Sequence, residues 1–325
     1  MKTKVYHKPV MVRKVVDILR PEPGDTLVDG TVGEGGHSRQ LLKKVFPGGF
    51  IVGIDRDPDM LEVAQKRLAD TADCFKLFNN NYKNMSKILK DINIDRVDGI
   101  LLDLGFSSRH IKKKNRGFSF TEEKKLDMRY DINRGIPVYE WLNNAPSGEI
   151  EQVLKKYGQE YEAKNIARHI YKYKKEKGDI MSARELAGIV IKAKKTYPGG
   201  SKVHPATKTF QALRIFINNE LDIIKESLPR CLKLLTCPET SKNPGRLAVL
   251  TYHSLEDRAV KEVFRKFSGK CECPPNFPVC RCGARTISPR IKILKDSGCR
   301  PSSKEIQENP SSRSAHLRVC EVIKK

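Results

Sequence analysis

The chain has 325 residues, 38% of them hydrophobic, and a formal net charge of +23. That is enough apolar material for a full core with room for two domains, and the excess of cations favours a polyanionic partner, nucleic acid before an acidic membrane surface. No run approaches the roughly 18 apolar residues of a spanning helix and MKTKVYHKPVMVRKVV has no signal-peptide core, so a cytoplasmic protein with no membrane partner is expected, its nine cysteines reduced or metal-bound rather than in disulfides.

Over the first hundred residues short β-branched runs alternate with amphipathic patterns, the signature of parallel βαβ units. Strands are predicted at Thr26–Asp29, Phe50–Asp55, Cys74–Phe78 and Asp98–Asp103, with helices starting near Gly36, Pro58 and Met85. Asp57 and Pro58 make a good N-cap and first-turn pair. After Gly105 comes a long charged stretch with helical periodicity and no clear strand, running to about Gly200. From Ile150 to Ile215 it carries 15 Lys or Arg against 6 Asp or Glu. A strand returns at Arg246–Tyr252, followed by a helix from Leu255 to about Phe267. Two last runs, Arg285–Leu294 and His316–Ile323, can close the sheet as an antiparallel pair. The predicted fold class is α/β: one mostly parallel, doubly wound sheet of seven strands from 1–110 and 216–325, interrupted by a basic helical domain at 111–215.

Three predicted strands end in Asp: Asp29, Asp55 and Asp103. In open α/β sheets ligands bind outside the carboxyl ends of the strands, so these side chains can line one crevice. Taken singly, each is as well explained as an ordinary loop or cap residue. The loop after Asp29 reads Gly30-x-x-Gly33-x-Gly35-Gly36, which departs from the G-x-G-x-x-G of dinucleotide folds. A carboxylate beside a pyrophosphate would be repulsive. S-adenosyl-L-methionine has no phosphate and carries a sulfonium and an ammonium, so an acidic glycine loop is complementary to it. Asp55 is placed to accept the ribose hydroxyls, a role shared with nicotinamide folds. His37 either packs at the helix start or contacts the cofactor, and Tyr82 is either a core aromatic or a flank for adenine.

The stretches DGTVGEGGHS (29–38), DLGFSS (103–108), RGFSF (116–120), LDMRYD (126–131), HPATKTFQALRI (204–215), YHSLEDR (252–258) and ENPSSRSAHLRV (308–319) together are similar to those of the bacterial small-subunit ribosomal RNA cytosine-N4 methyltransferases of the MraW type. The resemblance runs from Tyr6–Lys8 nearly to the C-terminus. It implies a class I, Rossmann-like methyltransferase core with an inserted helical domain. The donor would be S-adenosyl-L-methionine, and the acceptor the exocyclic amine of a cytidine in the decoding region of 16S rRNA in the small ribosomal subunit. By matching motif positions, the cofactor residues fall on Gly35, Gly36, His37, Asp55, Tyr82 and Asp103. Where the family has Gln a few residues after DLGxSS this chain has His110, whose imidazole can replace one amide hydrogen bond.

Cytosine's amine is a poor nucleophile because its lone pair is delocalised into the ring. Catalysis needs an acceptor for an amine N–H and alignment of the nitrogen with the methyl group. Asp103 is the first candidate, supported by Ser107 and Ser108. His253 is the second, although a histidine at a strand end also suits a structural role, and Glu256 and Asp257 also suit a helix start. The base must leave its stack to enter the crevice; Phe106, Phe118 and Phe120 could hold it, or could form an apolar hinge between domains. Arg168, Lys172, Lys174 and Lys175 would contact phosphates.

Cys271-x-Cys273-x6-Cys280-x-Cys282 puts four thiols within twelve residues, a candidate structural zinc site, although C-x-C is tighter than the usual ligand spacing; a loop of reduced cysteines fits equally. The rival functions are a non-catalytic RNA-binding assembly factor on a methyltransferase fold, a methyltransferase acting on another nucleic-acid amine, and, more distantly, a nicotinamide enzyme.

Overall fold

The computed structural model describes residues 8–71, 74–105, 116–194, 204–239, 243–271, 273, 279, 281 and 288–323. The chain divides into two compact units, Met1–Gly105 with Leu221–Lys325, and Phe106–Glu220.

In the first unit the described elements run α1 (Val12–Leu19), β1 (Thr26–Asp29), α2 (Gly36–Val45), β2 (Phe50–Asp55), α3 (Pro58–Leu68), β3 (Phe75–Asn79), α4 (Met85–Asp91) and β4 (Gly99–Asp103). The second unit contributes α5 (Val138–Asn144), α6 (Ser147–Gly158), α7 (Ala163–Lys177), α8 (Ala183–Ala193) and α9 (Thr207–Asn218). The chain then returns through α10 (Glu220–Leu234), β5 (Arg246–Thr251), α11 (Ser254–Phe267), β6 (Ile291–Ile293), α12 (Ser303–Glu308) and β7 (His316–Val322).

The strands form one seven-stranded sheet in the order β3-β2-β1-β4-β5-β7-β6. β1 to β5 are parallel, and β7 runs antiparallel to both β5 and β6. This is the mostly parallel sheet expected. Its strands are apolar on both sides because both sides are covered. Leu27, Ile51, Leu101, Ala248 and Leu250 pack with Val15, Ile18 and Leu19 of α1 and Leu41, Leu42 and Val45 of α2. Their neighbours Val28, Val52, Ile54, Ile100, Leu102, Leu247 and Val249 point the other way, as alternation along a strand requires. They pack with α4 (Met85, Ile88, Leu89), α10 (Ile224, Leu228, Cys231) and α11 (Val260, Val263, Phe264).

The boundaries differ from the predicted ones where pairing overrides apolar content. β3 is Phe75–Asn79 rather than Cys74–Phe78, because Phe75 is the first residue in register with Ile51 of β2. Cys74 only offers its carbonyl to the Ile51 amide at 2.9 Å. Of Arg285–Leu294, Ile291–Ile293 pairs with β7, and 285–287 lie outside the described residues. Outside the helical insertion three helices were not anticipated, α10 (Glu220–Leu234) among them. α1 is bounded by two left-handed residues, Met11 and Arg20, which no glycine announces. α12 is capped by Ser302, whose side chain accepts from the Glu305 amide.

In the second unit two of the quoted motifs prove to be partners. Arg214 forks onto Glu220 with bonds of 2.9 and 3.0 Å, and the Tyr130 hydroxyl donates to the same carboxylate at 2.9 Å. Asn218 donates to the Met128 carbonyl at 2.7 Å and accepts from the Tyr130 amide at 2.9 Å. LDMRYD and the end of HPATKTFQALRI are thus tied by a buried polar network. Removing one member of a buried pair leaves the other charge uncompensated, at about 3–5 kcal/mol. Glu220→Ala should therefore lower the urea midpoint of the second unit. Trp141, the only tryptophan of the chain, lies in that unit, so its fluorescence is the readout; an unchanged midpoint would show that Arg214 finds another partner.

Candidate active site

The carboxyl ends of β1, β2 and β4 bring the three aspartates to one edge of the sheet. Asp29 is buried beneath the glycine loop. Its carboxylate accepts from Ser38 Oγ at 2.6 Å and from the Thr31 amide at 3.3 Å, which fixes the first turn of α2 to the strand end. Gly33 and Gly35 adopt φ of +51° and +74°, a region that residues with a Cβ avoid. Gly35 there begins α2. A Cβ on Gly30 would fall 2.5 Å from Leu102 Cδ2, so a side chain there would require the buried Leu102 of β4 to shift.

Asp55 is partly exposed at the end of β2. Its two oxygens accept from the Gly33 amide at 2.8 Å and the Asp57 amide at 2.9 Å, which holds the glycine loop against the second strand. Tyr82 is buried in the core beside Met85 and Leu102, on the side of the loop where Gly30 approaches it. Gly36 lies under Pro9 and Arg67.

Asp103 is the chemically distinctive residue. Its amide donates to Thr31 Oγ1 at 2.6 Å, and Oδ1 accepts from the Tyr252 hydroxyl at 2.6 Å. Oδ2 lies 3.7 Å from His37 Nδ1. Burial pushes the Asp103 carboxyl up to about 7; the Tyr252 hydrogen bond works against this and the charge of Glu256 adds to it. His37 is held the other way: burial lowers its pKa, and Asp29 only partly offsets this. The ring is therefore neutral near pH 7. Its Nε2 lies 2.9 Å from the Val10 carbonyl, which can only accept, so the single proton sits on Nε2 and Nδ1 is an acceptor. His37 Nδ1 and Asp103 Oδ2 are then two acceptors facing each other across a gap too long for a hydrogen bond. A ligand N–H approaching from the side could be accepted by either atom.

His253 is the N-cap of α11, accepting from the Glu256 amide at 3.4 Å through Nδ1. Its Nε2 is 3.1 Å from Glu256 Oε1 but poorly aligned for a hydrogen bond. The neighbouring Tyr252, rather than His253, makes the described contact with Asp103. Asp257 forks onto Arg318 of β7 at 2.7 and 2.9 Å, which gives YHSLEDR and SAHLRV a common structural role. His110, Phe106, Ser107 and Ser108 lie outside the described residues.

Sequence reasoning missed Thr31, Ser38 and Tyr252. Ser38 had a signal, one turn into a helix that begins beside a buried acid. Tyr252 had none, because contact between the ends of β4 and β5 depends on strand order.

In the second unit, Phe120 stacks on His204 and meets Phe210 edge-on, with centroids 4.3 and 4.7 Å apart, and Phe118 lies parallel to Tyr130 at 6.1 Å. RGFSF is thus packed against the other two motifs of its own unit. Lys174, grouped above with the phosphate contacts, instead donates to the Leu142 and Ala145 carbonyls at 3.2 and 3.3 Å and closes the end of α5. Arg168, Lys172 and Lys175 are exposed. Of the cysteines, Cys271 Sγ accepts from the Cys273 amide and Cys273 Sγ from the Arg281 amide, at 3.4 and 3.3 Å; Cys280 and Cys282 lie outside the described residues. Among the described residues no helix is long and apolar enough to cross a membrane.

The family model described as the MraW methylase family matches residues 4–323. Ribosomal RNA small subunit methyltransferase H of Syntrophotalea carbinolica is 43% identical over 316 residues, covering 96% of both chains. The protein of the same name from Syntrophus aciditrophicus is 41% identical over 321 residues, 98% of both chains. That from Heliobacterium modesticaldum is 39% identical over 323 residues, 98% of this chain and 99% of the relative. With the sheet order above, this is a class I, Rossmann-like methyltransferase core, and the chain belongs to the MraW methylase family.

Proposed function

We propose that the protein methylates the exocyclic N4 amine of a cytidine in the decoding region of small-subunit ribosomal RNA, with S-adenosyl-L-methionine as donor. The family membership and the names of the relatives support the substrate class. The observation that carries the chemistry is the pair of facing acceptors, His37 Nδ1 and Asp103 Oδ2, at the end of a strand where an amine must give up a proton.

The residues fit the cofactor by the chemistry of the donor set. Two partly exposed carboxylates, Asp55 and Asp103, and a glycine loop suit a ligand that is cationic and lacks phosphate; Asp29, expected to line the same crevice, is buried beneath the loop. When bound, S-adenosyl-L-methionine supplies a methyl group on a sulfonium, an electrophile needing no metal or redox partner. Asp55 would accept the ribose hydroxyls, and Gly35, Gly36 and His37 would form the loop side of the site, with Tyr82 flanking it; His110 keeps only the role that the resemblance implies. Asp103 would accept an N–H of the cytosine amine, raising the density on nitrogen, and would take the proton released when the N–C bond forms and the methyl–sulfur bond breaks to leave a neutral thioether. Tyr252 fixes the carboxylate rotamer, and His253 shapes the start of α11 through Glu256.

The direct test is methyl transfer from labelled cofactor to small subunits purified from cells lacking the protein, followed by nucleoside analysis. N4-methylcytidine at one position is expected, with poor transfer to free cytidine; label on a ring carbon or on another base would overturn the reading. Asp55→Ala should weaken cofactor binding by about 1.5–3 kcal/mol, the worth of hydrogen bonds to a charged group, and unchanged affinity in a folded variant would remove Asp55 from the site.

The pH dependence follows from Asp103. The ionised carboxylate is the working form, so kcat/KM should fall as pH drops through about 7, since kcat/KM reports groups of the free enzyme. Tyr252→Phe deletes a donor that stabilises the anion, and its midpoint should move to higher pH by about one unit or more. A uniform loss of activity with the midpoint unmoved would reduce Tyr252 to a packing role.

A further inference from the structure

α7 carries a pattern that the methylation chemistry does not use. Its buried face is Ala163, Ile166, Ala167 and Ile170. On another side Lys164, Arg168, Tyr171 and Lys175 are exposed, and Tyr161 is exposed in the turn that precedes the helix. Within the helix the spacings are 4, 3 and 4 residues, which is one helix face. Its order is Lys, Arg, Tyr, Lys over about 16 Å, at 1.5 Å per residue.

The two tyrosines are unusual for a solvated face. Tyr161 is 94% exposed and Tyr171 44%. Each has a cation over its ring: Lys208 of α9 at 4.9 Å from the Tyr161 centroid, and Lys175 at 4.8 Å from that of Tyr171. Lys208 also donates to the Gln159 carbonyl at 3.3 Å, so it is tied to the turn that presents Tyr161. Glu162 and Glu176 flank the row but do not belong to it. Exposed rings between cations are the arrangement by which unpaired nucleic acid is held, bases stacking on the rings while phosphates meet the cations.

We infer that Tyr161 and Tyr171 are stacking platforms for unpaired bases of the RNA, with Lys164, Arg168, Lys175 and Lys208 holding the intervening phosphates. The inference rests on RNA being the substrate, as proposed above, and adds that the second unit grips a single-stranded segment rather than a duplex.

The test uses the full chain and a fluorescein-labelled 12-nucleotide single-stranded RNA, with a duplex of the same sequence as control. Tyr161→Ala and Tyr171→Ala should each weaken single-strand binding by about 10-fold without changing the slope of log Kd against log salt. Tyr→Trp at either position should restore it, and duplex binding should not respond. Lys164, Arg168 and Lys175 replaced together by Gln should flatten the slope by about 2, at roughly 0.7 per phosphate on a single strand. Unchanged single-strand affinity in the Tyr→Ala variants, or equal losses on the duplex, would overturn the inference. Wild-type methyl transfer to small subunits, measured on the same preparation, separates the two readings: stacking can fail while transfer stands, and absent transfer with the tyrosine effect intact would leave an RNA surface on a protein whose reaction was misassigned.

Discussion

Asp103 ends a central strand of the sheet with a carboxylate that burial strips of much of its water. That cost has to be met by neighbours, and meeting it draws together elements far apart in the chain. Tyr252, beyond the end of β5, donates to Oδ1. Thr31, in the loop after β1, receives the Asp103 amide. His37, at the start of α2, faces Oδ2 and is turned by the Val10 carbonyl. The segment behind Val10 is held by the C-terminal region: the Met11 amide donates to Glu305 at 2.5 Å and Asn309 donates to the Lys8 carbonyl at 3.1 Å. The proton position on His37 is therefore set by contacts that reach α12. This gives ENPSSRSAHLRV a physical role in the first unit although it contributes no group to the crevice.

The arrangement raises the Asp103 pKa without removing the residue's capacity to accept. Desolvation alone would leave a protonated, inert carboxyl at neutral pH. The Tyr252 hydroxyl is the counterweight, and it is one that cannot take the proton away, because burial and the Asp103 charge push its own pKa well above the ordinary value. Such a pairing tunes a weak acceptor to the working pH, which suits an amine that needs only a modest pull on its N–H.

Much of this was legible beforehand, for reasons particular residues make clear. Strands buried on both faces, such as GILLD and RLAVLT, announce themselves as short apolar runs, and Asp57-Pro58 marks a helix start that the structure retains, Asp57 accepting from the Asp59 amide. Asp29, Asp55 and Asp103 could be grouped because parallel strands place their ends on one edge. What could not be read were pairings set by strand order and tertiary reach. Tyr252 meets Asp103 only because β4 and β5 are adjacent. Lys174 looked like one more cation in a basic run, yet helix packing turns it onto the carbonyls of α5 while Lys172 and Lys175 remain outside. A charge run gives composition; which of its members face solvent depends on the phase of the helix against its neighbours.

That phase also separates two opposed electrostatic tasks. Two partly exposed carboxylates, Asp55 and Asp103, stand at the strand ends, with Asp29 and Glu256 buried behind them, within a chain whose net charge is +23. Carboxylates at the sheet edge favour a cationic donor and repel phosphate, so an RNA strand gains little by running its backbone there. The exposed cations of α7, Lys164, Arg168, Lys172 and Lys175, lie in the second unit. On the proposed reading, what meets Asp103 is the neutral edge of one base rather than a phosphate. A cation beside Asp103 would undo that selection, since it would offer phosphates the place that the base needs.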